Sequence, residues 1–181
     1  MEAKTKQVLY VVRGGETERM HTVPHINGYS VAQHSYGVVS LLLILHPNPP
    51  LELIRTALWH DTSEHYTGDV PAHAKWDFPE LKAAIDSAER SLSKHMGMGE
   101  EFLLTKDEQH WLKSCDLMEL WLWSRNQIRL GNTRARIVME RIETFFGNLV
   151  PEVYALWRDL YREDGDYGRE DDDDRYFVAK K

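Results

Sequence analysis

The chain has 181 residues, 42% of them hydrophobic and six of them Trp, which is enough to build the core of one ordinary domain. Its formal charge of -7 is concentrated in Glu163 to Asp174, where eight acids face one Arg, and the near-neutral remainder argues against a basic nucleic-acid-binding surface. A single cysteine, Cys115, excludes an intramolecular disulfide and a cysteine-based zinc cluster; its place between Trp111 and Met118 suits a buried, inert thiol.

At the N-terminus, Lys4 and Lys6 precede only five apolar residues, Val8 to Val12. That run is too short for a signal segment or a bilayer span, so a cytoplasmic protein with no membrane partner is expected. Apolar periodicity predicts helices over residues 2–13, 30–45, 51–64, 79–97, 105–130, 132–147 and 152–163, and no stretch alternates as a strand would. The fold expected is an all-α single-domain bundle over residues 1–163, followed by a solvated acidic tail, 164–181. The breakers agree: Pro47, Pro49 and Pro50 part the second and third helices, Gly68 and Pro71 follow the third, and Gly97 and Gly99 close the fourth. The helix from Thr105 is apolar on nearly every side and is predicted to run through the middle of the bundle.

Within these helices, four metal-ligating side chains fall on apolar faces. Val31, His34, Val38, Leu41 and Leu45 are three or four apart, which aims His34 into the core. Ile54, Ala57, Leu58 and Asp61 share a face, as do Leu112, Asp116, Leu120 and Trp123. His60 adjoins Asp61. A salt-bridged network of two imidazoles and two carboxylates would leave most lone pairs unsatisfied, whereas one divalent ion satisfies all four groups. Nitrogen and oxygen ligands without sulfur suit a divalent transition metal, Zn, Co or Mn as well as Fe or Ni. Such an ion retains room for a water of lowered pKa. Glu64, three residues after Asp61 and four after His60, is placed on the same side of the same helix to manage that water's proton. The turn Thr67-Gly68-Asp69-Val70-Pro71, with Lys75 beyond it, adds a second carboxylate and a cation.

The pattern His34, His60-Asp61, Asp116 resembles the HD-domain metal-dependent phosphohydrolases. The fuller string is Arg19, Ala32-Gln33-His34-Ser35, Trp59-His60-Asp61, Glu64, Thr67-Gly68-Asp69-Val70-Pro71 and Lys75. It is similar to one branch, the 5'-deoxynucleotidases and the phage dATP triphosphohydrolases. The resemblance implies hydrolysis at the 5' phosphoester of a deoxynucleotide. His34, His60, Asp61 and Asp116 match the ligands, Glu64 the acid that handles the attacking water, and Asp69 the turn aspartate near sugar and phosphate. Arg19 and Lys75 match the phosphate-holding cations, a role that suits a guanidinium fork and an ammonium. Two departures stand out: Gln33 replaces an acid common in the nucleotidase branch, and Met20 replaces Trp after Arg19.

The segment Arg19-Met20-His21-Thr22 is more similar to the triphosphohydrolases, which implies cleavage of dATP to deoxyadenosine and triphosphate, with the base near Met20, in the host cell cytoplasm of a phage that uses 2-aminoadenine. A 5'-deoxynucleotidase acting on monophosphates is the nearest alternative. Arg125, Arg129, Arg134 or Arg136 could add the extra cations that a triphosphate needs. A catalytically silent nucleotide-binding module is a further alternative, but it would be expected to lose a ligand or Glu64. The expected partner is a small deoxynucleotide, with no nucleic acid, in a homo-oligomer.

Overall fold

Two capping boxes start the helices that carry the site. Ser30 accepts a hydrogen bond from the Gln33 amide while the Gln33 side chain accepts from the Ser30 amide, and Thr105 and Glu108 repeat the exchange. In this computed structural model, which describes residues 1–97 and 104–163, nine α-helices follow in order: α1 Glu2–Gly15, α2 Val31–Leu45, α3 Leu51–Trp59, α4 Glu64–Thr67, α5 Ala72–Asp77, α6 Pro79–His95, α7 Lys106–Arg129, α8 Arg136–Glu143 and α9 Pro151–Glu163. The protein is all-α. Among the described residues the only β-pairing is an isolated antiparallel bridge between Glu18 and Ser30.

The central place of α7 is observed. It packs against α2, α3, α8 and α9, and Trp111, Cys115, Met118 and Trp121 join Val38 and Leu42 of α2, Leu53 and Ala57 of α3 and Val153 of α9 in one buried core. Each fully buried Leu or Met there contributes on the order of 1.5–3 kcal/mol. Cys115 is fully buried, and desolvation pushes its thiol up to about 12.

Three sequence expectations need correction. The third helix does not reach residue 64: α3 ends at Trp59 and the chain turns through His60 to Ser63 before α4 begins at Glu64. The buried line of α3 is Leu53 and Ala57, with Asp61 continuing it, while Leu58 is 42% exposed. Residues 132–147 are segmented, with 3-10 turns at Thr133–Ala135 and Phe146–Asn148 on either side of α8. The short α5, for which the periodicity gave no expectation, follows the Thr67–Pro71 turn. The proposed acidic tail, 164–181, and Gly99 lie outside the described residues.

Candidate active site

His34 projects from α2 into the core, with no exposed surface. Its Nδ1 lies 2.6 Å from Glu119 Oε2 on α7, and its Nε2 lies 3.2 Å from Asp116 Oδ1, 3.4 Å from His60 Nε2 and 3.6 Å from Asp61 Oδ2. His60 Nδ1 sits 3.0 Å from the Ala57 carbonyl. That acceptor and the Glu119 carboxylate make each Nδ1 the donor when the ring is neutral, so both Nε2 lone pairs face the same point. Two ligand atoms each roughly 2.0–2.1 Å from one tetrahedral ion sit about 3.3–3.4 Å apart. The His34–His60 and His34–Asp116 separations match that spacing, and donor atoms of His34, His60 and Asp116 lie within 4.8 Å of one another. Asp61 adds an Oδ2 3.3 Å from His60 Nε2. The sulfur-free donor set therefore fits a divalent transition ion.

The electrostatics point the same way. Burial alone would raise the Asp116 carboxyl, but Lys113, whose ammonium donates to Oδ2 at 2.7 Å, and His34 hold it well below its ordinary range. For Asp61, burial is likewise overridden, here by His60, Arg19 and His34, and its carboxyl is also depressed. Burial and the Arg19 charge work against a His34 imidazolium, yet the bonds to Asp116 and Glu119 prevail and raise it to about 9. This cluster of carboxylates draws positive charge to the spot where the imidazoles meet.

Arg19 arrives on the connection between α1 and α2. That segment doubles back on itself, with the Arg19 amide donating to the Tyr29 carbonyl at 2.7 Å and the Val31 amide to Thr17 at 2.9 Å. Gln127 of α7 pins it, donating to the Ile26 carbonyl and accepting from the Ile26 amide, both at 2.8 Å. The Arg19 guanidinium is thereby directed inward. Nη1 bonds to Asp61 and lies 3.3 Å from Glu64 Oε2, while the buried Nε has no hydrogen-bond partner among the described residues. Glu64 is 4% exposed. Burial, then the Asp61 charge, raise its carboxyl to about 9 despite Arg19. These surroundings favour the protonated carboxyl at neutral pH, and a neighbouring cation would work against that.

Asp69 serves the same loop. Its Oδ2 accepts the Met20 amide at 2.6 Å and holds Met20 in a left-handed conformation, φ 56°. Gly68, whose φ is 73°, makes the turn that brings Asp69 there. Lys75 on α5 is close enough for its charge to act on Glu64 and Glu89. Gln33, by contrast, is an exposed capping residue whose amide closes the N-terminus of α2. The structure thus gathers His34, His60, Asp61, Asp116, Glu64 and Arg19, and sets Asp69 and Met20 on the adjoining turns and Lys75 on α5. The residues missed from sequence are Glu119, Tyr29 and Gln127. Only Glu119 carried a signal, three residues after Asp116 on the same helix.

The 5'-deoxynucleotidase YfbR-like family profile matches residues 16–150, the span that holds every one of these side chains. The chain belongs to this family. It is accordingly an HD-type phosphohydrolase of deoxynucleotides. Among known members, the chain is 24% identical over 150 residues to 5'-deoxynucleotidase PM0747 of Pasteurella multocida, covering 70% of this chain and 76% of that protein. It is 27% identical over 172 residues to the dATP triphosphohydrolase of Salmonella phage PMBT28, covering 83% and 85%. Two solved structures share the fold at 20% identity each. The cyanophage S-2L HD phosphohydrolase DatZ, bound to dA and one catalytic Zn2+ ion, has a TM-score of 0.63 with 86% of this chain and 94% of that one covered. The PH0347 protein of Pyrococcus horikoshii has a TM-score of 0.68, with 90% and 98% covered.

Proposed function

We propose that the protein hydrolyses dATP at the 5' phosphoester, giving deoxyadenosine and triphosphate, with a divalent transition metal such as Zn, Co or Mn held by His34, His60, Asp61 and Asp116. The observation that carries a catalytic role is Glu64, buried and of raised pKa, beside Arg19 and directly after the His60-Asp61 turn. When bound, the ion supplies Lewis-acid polarisation of a phosphate oxygen and a water of lowered pKa. With the charge of a bound ion beside it, the Glu64 carboxyl would ionise, take the proton of the attacking water and return it to the departing 5' oxygen. Arg19 and Lys75 hold the phosphate chain, and the spare Arg19 Nε–H is a donor for it. Phosphoryl transfer depends chiefly on such placement and charge neutralisation. Asp69 shapes the pocket floor by fixing Met20 against the base.

The triphosphate reading is supported by the higher identity and longer coverage of the phage dATP triphosphohydrolase. The family description favours a second reading, a 5'-deoxynucleotidase that releases orthophosphate from monophosphates. A silent binding module is disfavoured by the intact ligand set and Glu64. Self-association is part of the proposal, supported by Tyr36 and Ile44 of α2, which are 75% and 78% exposed, as is a place in the cytoplasm. No helix among the described residues is long and apolar enough to cross a membrane.

Hydrolysis of dATP, 2-amino-dATP and dAMP, with the products separated, is the test. Free triphosphate from dATP with 2-amino-dATP spared is the expected result. Rejection of the extra amino group follows if it is buried unpaired. Preference for dAMP with orthophosphate as product would overturn the triphosphate assignment.

A further inference from the structure

Glu119 lies outside the expected ligand set, yet it makes the shortest contact to His34. Its Oε2 is 2.6 Å from His34 Nδ1, on the side of the ring opposite Asp116, and its side chain is 12% exposed. The Tyr29 hydroxyl donates to the same oxygen and lies 3.2 Å from His34 Nδ1. Tyr29 is itself held, 3% exposed and stacked at 4.9 Å on Trp123, one turn beyond Glu119 on α7. A carboxylate only accepts hydrogen bonds when ionised, so it sets Nδ1 as the protonated nitrogen and turns the Nε2 lone pair toward His60 and Asp116.

A second observation concerns α2. Gly37 sits in the middle of that helix, one turn after His34, where glycine costs roughly 0.5–1 kcal/mol relative to alanine. A Cβ at this position would stand 2.5 Å from Glu119 Cγ and 3.0 Å from its Oε1. The missing side chain makes the space through which Glu119 reaches His34. His60 needs no such arrangement, because the Ala57 carbonyl of its own chain segment fixes its Nδ1.

We propose that Glu119 is a positioning residue for the metal ligand His34, admitted by Gly37 and oriented by Tyr29, and that its carboxylate raises the affinity of the site for a divalent ion. This rests on the reading of His34 as a ligand. The test is Co2+ binding to metal-free protein by competition with a chromophoric chelator, with cobalt absorption spectra and thermal melts recorded alongside. Glu119→Gln keeps the side-chain shape, and is expected to weaken Co2+ binding by about 10- to 100-fold with the metal-free melt unchanged. Gly37→Ala is expected to weaken it in the parent protein and to add no further loss to Glu119→Ala, the signature of coupled neighbours. Unchanged Co2+ affinity in Glu119→Gln, with His34→Ala abolishing binding, would overturn the positioning role alone. Full Co2+ affinity in His34→Ala would instead overturn the ligand reading beneath it. Should Glu119→Ala fail to fold, the isosteric Glu119→Gln still decides the proposal.

Discussion

The α7 wall of the site and the turn between α3 and α4 hold their residues by different means. On α7, Lys113, Asp116, Glu119 and Trp123 follow one another at three or four residues along an unbroken helix whose backbone bonds are internal. The chemistry there is presented by side chains alone. On the facing side, His60, Asp61 and Glu64 stand where the helix stops, the Thr62 amide turning back to Trp59 and the Glu64 amide to Asp61. Their directions depend on backbone geometry, and that geometry is fixed by a neighbour: a Cβ on Gly14 of α1 would meet the Thr62 carbonyl oxygen at 2.6 Å and its Cα at 2.9 Å. A regular helix can therefore change one side chain at a time. A broken one is sensitive at positions that never touch the substrate.

The largest effects are expected in the ligands and the proton handler. Asp61→Ala should lose bound metal and activity without unfolding the bundle, read by elemental analysis and circular dichroism. Glu64→Gln should retain metal and nucleotide binding but lose on the order of a hundredfold or more in kcat. Metal loss in both variants would mean that Glu64 is a ligand rather than a proton handler.

An intermediate effect separates the two walls. Gly14→Ala forces α1 away from the His60–Ser63 turn, and overpacking of this kind costs about 1–3 kcal/mol, measurable by urea denaturation, together with a fall in kcat. Lys113→Ala on the α7 side removes only the 64% exposed partner of Asp116, for which a stability loss under about 1 kcal/mol is expected. If the two substitutions destabilise equally, the contrast between backbone and side-chain placement does not hold.

The smallest expected effect is no reaction at all. Cys115, buried one residue before Asp116 with its thiol pushed up to about 12, has a negligible thiolate fraction at pH 8. A disulfide-exchange reagent should label it only after denaturant is added. Rapid labelling of the native protein would reveal opening of α7 itself.

Periodicity and residue type alone determined the all-α fold, the central α7 and the convergence of His34, His60, Asp61 and Asp116, because helix faces are set by neighbours three and four residues away. Spacing along the chain also pointed to Glu64 and to the Asp69 turn with Lys75, and the family pattern added Arg19. Only the tertiary structure revealed the break at His60, where the turn packs closely against Gly14 of α1. It also showed the job of Gln33, which closes the capping box of α2. The partners of His34 and of the Arg19 loop were beyond local reading: Glu119 lies 85 positions from His34, and Gln127 lies 101 from Ile26. The spacing of Glu119 from Asp116 hints at a shared face but not at its partner, and a glutamine at a helix end has no sequence signature of its role, because that role exists only once distant parts of the chain have packed.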